Sequence, residues 1–181
     1  MVDFSKNYFE LFGIPVGFRV DKAALAERYR ELQKVVHPDR YASGSEAEQR
    51  LSLQQTTQVN EAYETLKDPV KRAIYLLKLN GVDMQLDKET TQDTAFLMEQ
   101  LEMREQLAEA REQSDPMAVL DELMGRVDGM IKALVAQLAM QFETATPEQL
   151  EAARESVRKM QFLNKFHAEA QALEMELEEN L

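Results

Sequence analysis

The sequence predicts an all-α protein made of two helical units. Apolar residues recur at intervals of three and four through most of the chain, which is the period of an amphipathic helix. Proline, glycine and capping residues separate these stretches, and no segment alternates apolar and polar residues as a half-buried strand would. A chain of 181 residues has room for one domain or two small ones.

The first half of the chain predicts four helices with clear stop signals. The expected ranges are 8–12, about 22–36, about 46–67 and 69 to about 79. Asp21 can cap the second helix, and Pro38 ends it, because proline lacks an N–H and disfavours helix at the preceding residue. The apolar stripe of the second helix is Leu25, Tyr29, Leu32 and Val36, and that of the third is Val59, Ala62, Tyr63 and Leu66.

The second half predicts three longer helices, at about 94–113, 117–143 and 147–179. Ser114-Asp115-Pro116 and Thr146-Pro147 supply start signals, since proline is favoured in the first turn. The middle helix has apolar residues at Leu120, Leu123, Val127, Met130, Leu134 and Leu138. The last helix has them at Leu150, Ala153, Val157, Met160, Leu163, Ala170, Leu173 and Leu177. Such stripes are typical of an antiparallel helical bundle.

Charge is distributed unevenly between the two halves. The formal charge of the whole chain is −12. Residues 1–80 carry 12 basic and 11 acidic side chains, whereas residues 81–181 carry 9 basic and 22 acidic ones. The change falls at a turn signal, Asn80-Gly81, followed by a polar stretch. We therefore expect an N-terminal domain at 1–80, a linker at 81–93 and a C-terminal domain at 94–181.

Composition excludes several classes of function. The chain has no Cys and two His, so a disulfide framework, a thiolate metal site or a histidine cluster is not expected. No apolar run approaches the roughly 20 residues of a membrane span, and the N-terminus does not read as a secretory signal. The acidic total argues against non-specific nucleic-acid binding. We expect a soluble protein of a reducing compartment that acts by contact, with no cofactor or metal.

The sharpest local feature is His37-Pro38-Asp39. An imidazole beside a carboxylate could be half of a catalytic dyad, but the sequence singles out no nucleophile or orienting group. The tripeptide could equally be a helix stop whose side chains bond to nearby backbone. The basic residues before it have two readings as well, a docking face or an ordinary solvated helix face.

The surroundings of this tripeptide decide between these readings. The matching segments are Tyr8-Phe9-Glu10-Leu11-Phe12, His37-Pro38-Asp39, Asn60-Glu61-Ala62-Tyr63-Glu64-Thr65-Leu66, and Asp68-Pro69 with Arg72 and Tyr75. In this order and spacing, residues 6–79 resemble a J-domain. The resemblance implies a co-chaperone whose His-Pro-Asp loop and basic second helix dock on a DnaK-class chaperone and stimulate its ATP hydrolysis. One departure is Val36, where J-domains usually have an aromatic residue.

The J-domain resemblance assigns roles to particular residues. His37, Pro38 and Asp39 would be the trigger, and the candidates for the cationic docking face are Arg28, Arg30, Lys34 and Arg40. Proline fixes φ, so the loop has less entropy to lose on docking. Nucleotide binding would belong to the chaperone, because this chain has no G-x-x-x-x-G-K motif.

The predicted helix at 94–113 has apolar residues on two faces. Phe96, Met103 and Leu107 share one wheel angle, whereas Leu97, Met98, Leu101 and Ala108 lie nearly opposite. A three-helix bundle buries only one stripe of each helix. The second face therefore either binds a partner or is buried inside the chain, and the pattern alone leaves both open.

Further segments resemble one family of J-domain proteins along essentially the whole chain. They are Tyr41-Ala42-Ser43-Gly44-Ser45, Arg72-Ala73-Ile74-Tyr75-Leu76-Leu77, Asp93-Thr94-Ala95-Phe96-Leu97-Met98-Glu99-Gln100-Leu101-Glu102 and Val157-Arg158-Lys159-Met160-Gln161-Phe162-Leu163. The family is HscB, the J-domain co-chaperones of bacterial iron–sulfur cluster assembly. The resemblance implies that the C-terminal unit binds the scaffold IscU and delivers it to the chaperone HscA. The scaffold-binding residues it implies are Leu97, Met98, Leu101, Glu102, Arg104, Glu105 and Phe162.

The sequence thus predicts a co-chaperone of iron–sulfur cluster biogenesis rather than an enzyme. Some family members, mainly eukaryotic, carry an N-terminal extension with cysteines that this chain lacks, so a bacterial cytoplasmic protein is expected. The alternative is a J-domain co-chaperone with a different client. His167 has no second ligand four residues on and is assigned no site.

Overall fold

The computed structural model describes residues 5–41, 43–85 and 88–179, and every regular element in those ranges is helical. The α-helices are α1 Tyr8–Phe12, α2 Lys22–Val36, α3 Glu46–Lys67, α4 Pro69–Leu79, α5 Thr94–Glu109, α6 Pro116–Thr144 and α7 Pro147–Glu179. Short 3-10 turns follow α2 at Pro38–Tyr41 and α5 at Ala110–Glu112. The all-α prediction is confirmed. None of the helices described is long and apolar enough to cross a bilayer.

Helix starts and ends follow the local chemistry of the chain. Asp21 caps α2, because its carboxylate accepts hydrogen bonds from the N–H groups of Ala23 (2.9 Å) and Ala24 (3.1 Å). Gly13 ends α1 in the left-handed conformation, with a φ of 65°, which glycine adopts without steric cost. The helix predicted at 94–113 is α-helical only to Glu109 and tightens into a 3-10 turn before Gln113.

The chain divides into two compact units, residues 1–79 and 80–181. In the first unit, α2 and α3 form a helical hairpin, and α1 and α4 pack against α3. Tyr29, placed in the predicted stripe of α2, is half-buried and stacks on Tyr63 with ring centroids 4.1 Å apart. The largest fully buried side chains of this unit are Phe9, Phe12, Leu25, Leu66, Leu77 and Val36.

In the second unit α6 and α7 pack along each other, and α5 lies against both. The predicted stripes of α6 and α7 supply most of the buried core, as the bundle prediction requires. Three of their members, Met130, Leu173 and Leu177, are only half-buried. Phe166 is fully buried and was missing from the predicted stripe. It follows Leu163 by three positions, so it continues the same face of α7.

The segment before α5 is tied to α7 by a cluster of ion pairs, the Glu89 clasp (Glu89, Arg154 and Arg158). The Glu89 carboxylate accepts from Arg154 Nη2 at 2.5 Å and Nε at 2.7 Å, and from Arg158 Nη2 at 2.8 Å. Nearby, Lys159 pairs with Asp93 at 2.5 Å. The hydrogen bonds of Arg154 hold the pKa of Glu89 at about 2, well below its ordinary value of 4.5. Glu89 and Asp93, which fall in the predicted linker, are therefore held against α7 by ion pairs.

Candidate functional site

The trigger turn (His37, Pro38 and Asp39) lies where the chain leaves α2. His37 has an extended backbone, with φ −57° and ψ 128°, as the proline after it favours. The Asp39 N–H donates to His37 Nδ1 at 3.2 Å, and an Asp39 carboxylate oxygen lies 3.6 Å from the same nitrogen.

Both ionisable side chains of the trigger turn are open to solvent. The exposed fraction of the His37 side chain is 52%, and that of Asp39 is 90%. General-base catalysis works best where water is excluded and the base faces a positioned substrate. An exposed pair on a stiff turn suits contact with a partner protein instead.

The basic residues predicted for the docking face differ in what they contact. Arg30 and Lys34 are exposed on α2. Arg28 is partly committed inside the unit, because its Nε donates to the Phe12 carbonyl at 3.1 Å and its Nη1 pairs with Glu31 at 2.5 Å. The side chain of Arg40 lies outside the described residues. Arg30 and Lys34 therefore lie on a solvent-facing surface of α2, as a docking face requires.

The second apolar face of α5 is exposed. Leu97, Met98 and Leu101, here called the α5 patch, are 37%, 67% and 59% exposed. On the opposite side of the helix Phe96 and Met103 are buried, at 7% and 0%. Of the two readings that the sequence left open, burial within the helical bundle therefore does not apply to these three side chains. Contiguous exposed apolar side chains on a helix commonly mark a site of protein contact.

Charged side chains border the α5 patch and are held by partners on other helices. Arg126 of α6 pairs with Glu99 at 3.0 Å and approaches Glu102 at 3.9 Å. Arg104 pairs with Glu169 of α7 at 2.8 Å. Arg126 and Glu169 were missed, because hydropathy spacing within one helix gives no information about ion pairs between helices.

The remaining two residues implied by the resemblance occupy different positions. Glu105 is exposed on α5. Phe162 is half-buried on α7, where its ring meets the Phe96 ring edge-on at 6.3 Å. Lys159 lies 5.5 Å from the centroid of the same Phe96 ring. Phe162 therefore reaches α5 through Phe96, the residue immediately before Leu97.

Chemically, the chain offers two kinds of contact surface. The first unit presents an exposed imidazole–carboxylate turn beside basic residues. The second presents an apolar patch with a charged border, the arrangement typical of a protein–protein interface. Among the residues that the structure describes, no group of three or more His, Asp or Glu could hold a metal ion.

Comparison with known proteins identifies relatives of both units. A family model described as a DnaJ domain matches residues 7–75, and one described as the HSCB C-terminal oligomerisation domain matches residues 92–171. The chain is 44% identical over 168 residues to the co-chaperone protein HscB homolog of Shewanella sp. (strain MR-4), covering 93% of this chain and 97% of that protein. The solved structure of chaperone HscB from Vibrio cholerae matches with a TM-score of 0.86 and 40% identity, over 95% of this chain and 99% of that one. Human co-chaperone protein HscB matches with a TM-score of 0.86 and 32% identity, over 95% and 84%.

Proposed function

The chain belongs to the HscB family of J-domain co-chaperones, and from this membership we propose that it brings the iron–sulfur scaffold IscU to the DnaK-class chaperone HscA. As a member of this family it is a co-chaperone, not an enzyme, and its J-domain implies a partner of the Hsp70 type. The proposal adds the identity of that partner, the client and the residues that contact each.

In the proposal, the first unit contacts HscA. The trigger turn stimulates ATP hydrolysis, and the exposed cations Arg30 and Lys34 steer the docking of α2. Arg28 and Arg40 complete the proposed docking face. The solvent exposure of His37 and Asp39 supports this assignment, because both side chains are accessible to a partner without unfolding of the turn.

The second unit holds the scaffold through the α5 patch together with Glu102, Arg104, Glu105 and Phe162. The observation that carries this assignment is the exposure of three large apolar side chains on a helix whose other face is buried. Leaving such side chains in water costs free energy, which a bound partner would recover. The charged border can select among partners, since a mismatched charge is left unpaired on binding.

Holding both partners on one chain makes the second contact intramolecular. A scaffold bound to the second unit is presented to the chaperone at the high effective concentration that tethering provides. The chaperone supplies the bound nucleotide and its hydrolysis, and the co-chaperone uses no cofactor of its own. Because the relatives from Shewanella and Vibrio cholerae are bacterial proteins, the proposed place of action is the bacterial cytoplasm.

The client site is tested by calorimetric titration of IscU with Leu97→Ser/Leu101→Ser. The exposed fractions of these two leucines, 37% and 59%, together amount to about one leucine side chain. Burial of one leucine contributes about 1.5–3 kcal/mol, so affinity should fall by roughly one to two orders of magnitude. Basal stimulation of the chaperone should be unchanged, because the trigger turn is intact.

Met140→Ser is the matched control. Met140 is 66% exposed on α6, so the substitution also removes an exposed apolar side chain of the second unit, but not one of α5. Its affinity for IscU should equal that of the wild type. Unchanged affinity in the double leucine variant would refute the client site and leave a J-domain co-chaperone with another client.

A further inference from the structure

The end of α2 is held by two hydroxyl groups of α3. Ser52 Oγ donates to the Val36 carbonyl at 2.7 Å, and Thr56 Oγ1 donates to the same oxygen at 3.0 Å. Val36 is the last residue of α2 and directly precedes His37. Both Val36 and Ser52 are only 1% exposed. The backbone atom just before the trigger turn is therefore fixed inside the first unit.

The Val36 carbonyl needs these donors because it lies at a helix C-terminus, where carbonyls lack the intrahelical partner. The turn itself offers few donors: Pro38 has no N–H, and the Asp39 N–H is used by His37 Nδ1. A carbonyl oxygen has two lone pairs, and the two hydroxyls can occupy both. Ser52 and Thr56 are four residues apart on α3, so they lie on one face of the helix.

Fixing this oxygen restricts the chain as far as Asp39. The Val36–His37 peptide bond is planar, so holding its oxygen orients the whole peptide unit. Pro38 then restricts ψ of His37 and fixes its own φ. Of the four backbone torsions of His37 and Pro38, two are therefore restricted in addition to the anchored carbonyl. Because His37 and Asp39 are themselves exposed, their positions depend chiefly on this backbone.

The neighbouring threonine shows that these contacts are particular to Ser52 and Thr56. Thr57 Oγ1 donates to the Leu53 carbonyl of its own helix at 3.0 Å, the usual contact of a helical threonine. A third α3 side chain, Asn60, accepts from Tyr29 Oη of α2 at 2.9 Å. Residues 52, 56 and 60 thus form a polar row, spaced four apart, that contacts α2 between Tyr29 and its last residue.

We propose that Ser52 and Thr56 are positioning residues for the trigger turn: through the Val36 carbonyl they hold His37 and Asp39 in the orientation that stimulates the chaperone. The inference rests on the proposed function, since it assumes that this turn is the trigger. It adds two residues of α3 that make the turn effective without contacting the partner.

The test measures ATP hydrolysis by HscA as a function of co-chaperone concentration. Thr56→Val keeps the side-chain shape and removes the hydroxyl, and Thr56→Ser keeps the hydroxyl. Ser52→Ala/Thr56→Val removes both donors, and Thr57→Val is the matched control. Thr56→Val loses one hydrogen bond that helps to hold the turn when the chaperone is stimulated, so its maximum stimulation should fall by roughly fivefold. The double variant should lose more. Thr56→Ser and Thr57→Val should behave as wild type.

The half-saturating concentration separates positioning from a loss of docking or folding. It should stay near the wild-type value in all four variants, because the basic face of α2 is unchanged, and circular dichroism should show each of them folded at the assay temperature. Full stimulation by folded Thr56→Val would overturn the inference, as would a loss that appears only in the half-saturating concentration. If the double variant unfolds, the comparison of Thr56→Val with Thr56→Ser decides the outcome.

His37→Gln, measured in the same assay, separates this inference from the proposed function. Loss of stimulation in His37→Gln together with full stimulation in Thr56→Val would reject the positioning role and keep the trigger. Full stimulation by His37→Gln would reject the trigger assignment and the positioning role together.

Discussion

Glu89→Gln should destabilise the second unit, because it removes the carboxylate that both arginines of the Glu89 clasp share. The side chains of Glu89, Arg158 and Arg154 are 11%, 16% and 27% exposed, so water can replace little of what is lost. An amide keeps the shape of the carboxylate but presents an NH₂ group to two guanidinium groups that can only donate. Gln85 also donates its N–H to Glu89 at 2.9 Å.

A hydrogen bond to a charged group makes a net contribution of about 1.5–3 kcal/mol to stability. Loss of one partner from a fully buried ion pair costs about 3–5 kcal/mol. Here Arg154 is partly exposed and keeps a second partner, Glu151, at 3.4 Å. We therefore expect the free energy of unfolding of the second unit to fall by about 2 kcal/mol. Glu151→Gln is the matched control, because Glu151 faces the same arginines but is 61% exposed. It should cost at most about 0.5 kcal/mol.

Urea titration can assign the loss to one unit. All five tyrosines, at positions 8, 29, 41, 63 and 75, lie in the first unit, and the chain has no tryptophan. Tyrosine fluorescence therefore reports unfolding of the first unit, whereas far-UV circular dichroism reports both. Equal stability of Glu89→Gln and Glu151→Gln would refute the reasoning. So would a shift of the tyrosine transition in Glu89→Gln without any change in the part of the circular dichroism transition that reports the second unit.

The pH dependence gives an independent measurement of the same contact. The pKa of Glu89 is about 2 in the folded protein and has an ordinary value of 4.5, to which it returns on unfolding. Its stabilising effect is therefore complete above pH 4.5 and is lost as the pH falls through about 2, because the unfolded chain takes up the proton first. The stability difference between wild type and Glu89→Gln should shrink across this window and stay constant from pH 5 to 7.

Two further substitutions test other parts of the account. Arg30→Glu should raise the half-saturating concentration for chaperone stimulation by roughly twofold to fivefold at low ionic strength. The effect should be smaller at high salt, because exposed charges act mainly by steering the encounter and salt screens them. Arg50→Glu, which changes an 83% exposed arginine of α3, is its control, and equal behaviour of the two would contradict the docking face. Ala145→Gly should stabilise the second unit by about 0.5–1 kcal/mol in urea titrations. Ala145 has a φ of 47°, a left-handed conformation that strains alanine, and relief of this strain outweighs the entropy cost of glycine. A lower stability would show that this turn does not strain the chain.

Local signals in the sequence predicted the helices well, because they act over a few residues. Asp21 before α2, Gly13 after α1 and the prolines at the starts of α6 and α7 each govern one helix end. The two apolar faces of α5 were also visible, since helical periodicity is a property of one segment. What periodicity could not give was which of the two faces would be buried, because that depends on the packing of α6 and α7.

The polar contacts between helices were not predictable in the same way. Glu89 with Arg154 and Ser52 with Val36 join residues that are distant in sequence, and neither pair has a distinctive spacing. Arg28 shows the same limit: the J-domain resemblance implied a docking role for it, and its contact with the Phe12 carbonyl could not be read from the sequence. Such pairs arise only once the apolar stripes have brought the helices together.

The central claim is that one chain contacts a chaperone through the trigger turn and a scaffold through the α5 patch. The most direct test is the steady-state ATPase rate of HscA with this protein, measured with and without IscU. The account predicts a stimulated rate that rises further when IscU is added, with the increment lost in Leu97→Ser/Leu101→Ser and all stimulation lost in His37→Gln. A stimulated rate that IscU does not change would contradict the coupling of the two surfaces, and no stimulation at all would contradict the assignment of HscA as the partner.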